Sequence, residues 1–237
     1  MLTPTAPQGD HDGHAHALAE AAAPWPRRRL LGSGLALAGL GLLGTAPGFA
    51  ADARLRPTDT DDIGPFYPQS LTPTEDFDLT RLKGHEASAS GELLYVSGRV
   101  LSPRGEPVPN AVIEVWQANA AGRYAHPGDT SKSPLDPNFQ GFARIRSGAD
   151  GSFRLKTIYP GSYGSRTRHI HYDVRGQRSR LITQMYFEGE PRNETDGLFK
   201  AHSGEDRKTL VARRGSPSGN QERGAVVAEW DIVLAFG

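Results

Sequence analysis

Leu94-Tyr95-Val96-Ser97-Gly98-Arg99-Val100-Leu101, closed by Ser102-Pro103-Arg104-Gly105, sets the pattern for the C-terminal two thirds of this chain. It is a short apolar run ended by a turn signal, and the pattern recurs. Ala111–Gln117 is the next run, then Gly141–Arg146. The turn Ala149-Asp150-Gly151 leads into Ser152–Ile158, and His169–Val174, Leu181–Phe187 and Val226–Leu234 complete the set. Seven short strands at this spacing predict an all-β fold, an antiparallel β-sandwich core with long loops, rather than alternating βα units. Asn193–Glu222 is mostly polar, and Ser216-Pro217-Ser218-Gly219 marks a loop within it.

Composition agrees. The 237 residues suffice for one domain with a sizeable core, and 28 glycines with 18 prolines favour turns over long helices. Lys plus Arg and Asp plus Glu are 27 each, so no basic surplus argues for nucleic acid. There is no cysteine, which excludes disulfides, thiolate metal sites and cysteine nucleophiles but leaves the compartment open.

The compartment is read from the N-terminus. Pro26-Arg27-Arg28-Arg29 leads into an uncharged Gly/Ala/Leu-rich run from Leu30 to Ala50, closed by Gly48-Phe49-Ala50. Paired arginines, a mildly hydrophobic stretch and a small-residue cut site describe a twin-arginine export signal over residues 1–50. Its many glycines favour cleavage over a retained membrane anchor, so the mature chain is expected to be periplasmic or secreted, with no stable membrane insertion. His11, His14 and His16 precede this signal and are read as part of a disposable leader. Residues 51–90 form a polar, Pro- and Thr-rich extended lead-in that contains Gly64-Pro65-Phe66-Tyr67, and residues 91–237 form the sandwich domain.

The chemistry is concentrated at 159–174, Tyr-Pro-Gly-Ser-Tyr-Gly-Ser-Arg-Thr-Arg-His-Ile-His-Tyr-Asp-Val. On a strand, His169 and His171 point the same way. Neutral imidazole suits iron, copper, zinc and nickel alike, so the pair does not choose a metal. Tyrosines do: a phenol with an ordinary pKa of about 10 becomes a ligand near neutral pH only for a strongly acidic cation. Tyr124 and Tyr163 beside two histidines point to Fe(III) rather than zinc or Fe(II). Locally Tyr159 competes with Tyr163, and Arg168 with Arg166. Trp116 reads as core.

Across these blocks the chain resembles the intradiol ring-cleavage dioxygenases, especially protocatechuate-type and atypical secreted members. The resemblance is carried by Gly98–Val100, by Pro109–Tyr124 with its Val-Trp-Gln-Ala-Asn, and by Pro134-Leu135-Asp136-Pro137-Asn138-Phe139. Thr157–Tyr163, His169-Ile170-His171 and Leu181–Phe187 follow in family order. It implies a non-haem Fe(III) site held by Tyr124, Tyr163, His169 and His171, with Arg166 stabilising substrate charge and Gln184 beside the metal. It further implies a catechol-type substrate that displaces the Tyr163 ligand, O2 as co-substrate, a cis,cis-muconate-type product, and Gly64, Pro65 and Tyr67 near the substrate mouth. Protocatechuate-type members pair two related chains; self-association of this chain into a homo-oligomer would favour closed symmetry. One departure stands out: only five residues separate Tyr163 from His169, which removes part of the expected pocket wall and suggests a bulkier or plant-derived catechol. The contrasting reading is a non-catalytic transthyretin-like binding module.

Overall fold

The computed structural model describes residues 54–69 and 77–236. The leader assigned to residues 1–50, with its three histidines, lies outside the described residues. Among the described residues no helix is long and apolar enough to cross a membrane.

The architecture is all-β. In chain order the strands are β1 Leu93–Leu101, β2 Val112–Trp116, β3 Phe142–Arg146, β4 Ser152–Ile158, β5 His169–Arg175, β6 Arg180–Phe187, β7 Val211–Gly215, β8 Val226–Glu229 and β9 Ile232–Val233. They run β3-β2-β5-β6-β7-β8-β1-β4 across the path, with β9 on the end of β1. The first four form one layer and the last four the other, joined where Tyr186 and Phe187 of β6 pair with Val211 and Ala212 of β7.

Alternation along the strands builds the core between the layers. Ile113 and Val115 of β2 and Ile170, Tyr172 and Val174 of β5 meet Leu94 and Val96 of β1 and Phe153 and Leu155 of β4. Tyr172 spans the gap, its ring 5.0 Å from that of Trp230 and 6.5 Å from that of Phe153.

Three features depart from the sequence reading. First, the sandwich is not wholly antiparallel: β1 pairs β8 and β9 in parallel, and so do β6 and β7. Only hairpin neighbours are forced to be antiparallel; strands that meet after long connections are not. Second, Val226–Leu234 is two strands, because Trp230 and Asp231 leave the ladder to bond Ser97 and Arg99 of β1. Gly98 permits the crossing, since a Cβ there would lie 1.8 Å from the Trp230 carbonyl oxygen. Third, the mostly polar region for which the sequence named only the loop at Ser216–Gly219 holds, ahead of that loop, a 3₁₀ turn at Pro191–Glu194, helices α1 Gly197–Ala201 and α2 Gly204–Leu210, and β7. Elements this short lack the length at which periodicity is visible; their starts are fixed by caps at Asp196 and Ser203.

The lead-in is extended, as expected, and stitches the two layers together. Thr58 exchanges hydrogen bonds with Val233 of β9, and Asp61 N donates to the Ile182 carbonyl of β6 at 3.0 Å. The chain then passes over the outward face of β5.

Candidate metal centre

That outward face carries the site. Strand register sets His171 of β5 beside Trp116 of β2 and Gln184 of β6, and His169 beside Tyr186 of β6. Trp116 stacks flat on His171 at 5.0 Å and 9°. His169 Nδ1 lies 2.7 Å from the Thr167 carbonyl oxygen, which can only accept, so Nδ1 carries the proton and Nε2 keeps its lone pair. Nε2 in turn lies 3.2 Å from Tyr163 Oη.

Two loops bring the tyrosines to the histidines. In the first, buried Asn119 accepts from the backbone N–H groups of Ala121 and Arg123 through Oδ1 and donates to the Pro134 carbonyl. Asp129 accepts from Tyr124 N at 2.8 Å, so Tyr124 is aimed by its own backbone. In the second, Tyr163-Gly164-Ser165-Arg166 is a tight turn closed by Arg166 N donating to Tyr163 O. The loops interlock at Gly122, φ +76°, where a Cβ would lie 2.3 Å from the Ser162 carbonyl oxygen.

The result is a closed ring of four aromatic side chains. Ring centroids lie 4.9 Å apart for His169–His171, 5.4 Å for Tyr163–His169, 5.4 Å for Tyr124–Tyr163 and 6.3 Å for Tyr124–His171. Tyr159 and Arg168 lie elsewhere. Tyr159 packs on Phe187, and Arg168 pairs with Glu190 and donates to the Pro160 carbonyl.

Burial keeps the four groups neutral. It depresses His169 to about 3, aided by the Arg166 cation, and holds His171 well below the usual imidazole range, aided by His169 and Arg166. Burial also raises both phenols, Tyr124 more strongly, with Tyr163 adding to its shift. Neutral imidazole is the ligand form, whereas the phenols need a strong Lewis acid to lose their protons. Tyr124 Oη and His171 Nδ1 are buried with no hydrogen-bond partner, a rare and costly condition. Two neutral imidazoles, two phenols and an orphaned phenol oxygen therefore fit ferric iron. Among the described residues, no group of three or more His, Cys, Asp or Glu offers another metal site.

Arg166 and Gln184 flank the ring. Arg166 donates through Nε to Asp196 at 2.9 Å and through Nη2 to Gln184 Oε1 at 2.6 Å and Tyr186 Oη at 3.1 Å. Gln184 Nε2 donates to the Asp62 carbonyl, tying the lead-in to the same cluster.

The lead-in supplies a cover, with one correction. Gly64, φ +73°, passes so close to His171 that a Cβ would lie 2.9 Å from its Cε1, and Pro65 is exposed beside it. Phe66, not Tyr67, faces the tyrosines, its ring 4.7 Å from that of Tyr124 and 6.0 Å from that of Tyr163. Tyr67 turns away: its ring meets Trp116 edge-on and its hydroxyl donates to buried Glu114 at 2.8 Å. Glu114 also takes Arg144 and Arg175, and that buried charge draws the phenol aside. Phe66, Asn119, Asp129 and Asp196 were not singled out by sequence. Phe66 lay in the quoted Gly64–Tyr67 stretch and Asn119 in the Pro109–Tyr124 block, and for Asn119 a polar residue among apolar ones was the available signal.

Comparison with known proteins agrees with this architecture. A dioxygenase family model matches residues 63–236. The protocatechuate 3,4-dioxygenase beta chain of Burkholderia cepacia is 40% identical over 199 residues, covering 80% of this chain and 83% of that one. The alpha chain of the same enzyme is 32% identical over 191 residues, covering 76% and 93%. Among solved structures, the dioxygenase domain of a dioxygenase–carbohydrate-binding fusion from Streptomyces sp. SirexAA-E superposes with a TM-score of 0.60 at 32% identity, covering 77% of this chain and 100% of the domain. The chain belongs to the intradiol ring-cleavage dioxygenase family.

Proposed function

We propose that this oxygenase is a non-haem Fe(III) intradiol dioxygenase that opens a catechol-type ring with O2. The bond between the two hydroxyl-bearing carbons breaks, and both oxygen atoms enter the product, a cis,cis-muconate-type diacid. The observation that carries this reading is the closed ring of Tyr124, Tyr163, His169 and His171, with a buried phenol oxygen that no protein group satisfies. A transthyretin-like binding module has no use for such a convergence.

Tyr124, Tyr163, His169 and His171 would hold the iron. When bound, ferric iron supplies the Lewis acidity that favours the phenolates and draws electron density from a chelated catecholate ring. The remaining work falls to the protein. Tyr163 is the less buried of the two tyrosines, and its Oη is the atom that would take a proton from an incoming catechol hydroxyl. The Arg166 guanidinium would meet the negative charge of the bound diolate and its oxygenated successors in a water-poor site. Phe66 and the backbone at Gly64 would cover the ring and limit water. The short Tyr163–His169 connection would admit a bulkier or plant-derived catechol.

The visible spectrum of the iron-loaded protein, before and after anaerobic catechol, tests the reading. A tyrosinate-to-iron charge-transfer band that shifts with catechol supports it, and a colourless protein indifferent to catechol sinks it. A strong preference for unsubstituted catechol over larger ones would overturn the open-pocket reading alone. We further propose export by the twin-arginine route with cleavage after Ala50, which N-terminal sequencing of the exported protein checks. Assembly into a closed homo-oligomer is likewise proposed, and sedimentation of the mature chain decides it.

A further inference from the structure

Arg166 is the cation bonded to Gln184 and Tyr186, and what holds it comes from the Pro191–Leu210 segment, which also packs Phe199 on Tyr186 and bonds Arg192 to the Gly164 carbonyl. Asp196 is wholly buried and accepts four hydrogen bonds. Oδ2 takes Arg166 Nε at 2.9 Å and Thr167 N at 2.8 Å, while Oδ1 caps α1 through Leu198 N at 2.9 Å and Phe199 N at 3.2 Å. Nearby, Asn193 accepts from Thr167 Oγ1 and donates to the Phe187 carbonyl. The Thr167 carbonyl is the acceptor that fixes the His169 tautomer. One carboxylate thus pins two consecutive residues, one carrying the guanidinium and the other orienting a histidine.

The geometry of the guanidinium adds the functional point. Its Nε is committed to Asp196, and its Nη2 to Gln184 and Tyr186. Nη1 has no protein acceptor among the described residues, so its two protons are unspent. A buried guanidinium needs a nearby negative charge to be tolerated, and a planar donor fork is oriented by whichever edge is bonded. Asp196 meets both needs from the edge away from Nη1.

We propose that Asp196 is a positioning residue for the ring-opening reaction, its carboxylate fixing the Arg166 guanidinium so that Nη1 is presented to the substrate. The proposal rests on the intradiol reading above. It makes the Pro191–Leu210 segment, which touches none of the four ring residues through this carboxylate, a determinant of turnover.

The test is Asp196→Asn in the iron-loaded full chain, with Arg166→Ala and the double variant. Asn keeps one acceptor oxygen, which can retain the α1 cap, and replaces the oxygen facing Arg166 and Thr167 with an NH2 donor, so the charge and the guanidinium's acceptor are both removed. The charge-transfer band and its anaerobic shift with catechol should persist, while kcat falls by about 10- to 100-fold, the scale of losing a preorganised electrostatic contact, with little change in KM. The two single losses in kcat should be strongly non-additive in the double variant, because one residue acts through the other. Losses that add, or a kcat within about twofold of wild type, overturn the proposal. So does loss of the band together with activity, which would mark a purely structural residue. In the metal-free wild type, the Arg166 Nε proton should exchange slowly with solvent; exchange at the rate of a free arginine overturns the proposal even if Asp196→Asn does not fold. An absent band in the wild type itself would instead defeat the intradiol reading.

Discussion

Ile170, Tyr172 and Val174 face one way from β5, and His169, His171 and Asp173 face the other; all six are buried. Burial alone therefore does not separate core from site on this strand. What separates them is the fate of the polar atoms. On the inner face the one hydroxyl, Tyr172 Oη, rests against Met185 sulfur, and everything else is apolar packing. On the outer face His171 Nδ1 is orphaned, His169 Nε2 faces a phenol, and Asp173 is matched by Arg175 and Arg180. One face is complete in itself; the other leaves a buried ring nitrogen unmatched by any protein group.

The sharpest way to break this contrast is His171→Ala. On the outer face it should abolish the charge-transfer band and lower catechol turnover by at least about 10³-fold, the equivalent of several kcal/mol of metal-supplied stabilisation. Steady-state oxygen uptake checks it. On the inner face Tyr172→Ala should cost about 3–5 kcal/mol of stability by urea denaturation, yet the protein that remains folded should keep its colour. Equal effects of both substitutions on colour would erase the distinction between the faces.

Gly64→Ala probes the cover. The added methyl meets His171 Cε1 and the residue must hold a positive φ, so about 1–3 kcal/mol of strain is expected. An iron-binding titration should register it as weakened affinity, because the lead-in yields before the strand does. The smallest effect is in acid. Burial pushes Asp196 up, but the Thr167 N–H and Arg166 outweigh it and hold the carboxyl below the usual range. A depressed folded pKa means the contribution is present above about pH 4 and is lost as pH falls through the folded value. The stability gap between wild type and Asp196→Asn should therefore narrow as pH drops below about 4, read from denaturation midpoints.

The faces also explain what sequence could convey. Strand β5 was legible because its period-two pattern carries apolar and chemical residues at once, whereas Tyr124 and Tyr163 were singled out through the family resemblance, since loops carry no periodicity that would select them. The lead-in was legible only as an extended segment. With no periodicity, nothing distinguished Phe66 from Tyr67, and the choice was made by Glu114, 47 residues further on. Asp196 was invisible for a related reason: a lone acidic residue in a polar stretch gains meaning only when α1 and the Arg166 turn meet around it. The parallel pairings of β8 and β9 depend on where the chain returns, which local patterns do not encode.

The stitch between Thr58 and Val233 has a consequence for the order in which the molecule is made. The segment that covers the histidines is translated before either of its docking partners, β6 and β9, and Val233 of β9 follows Thr58 by 175 residues. Until β9 has emerged and paired, Gly64 and Phe66 have only part of their docking surface. Contacts at such separation form late in folding. The tyrosine–histidine cluster thus has a period, between the assembly of β5 and the arrival of β9, when it exists without its lid and stands open to solvent.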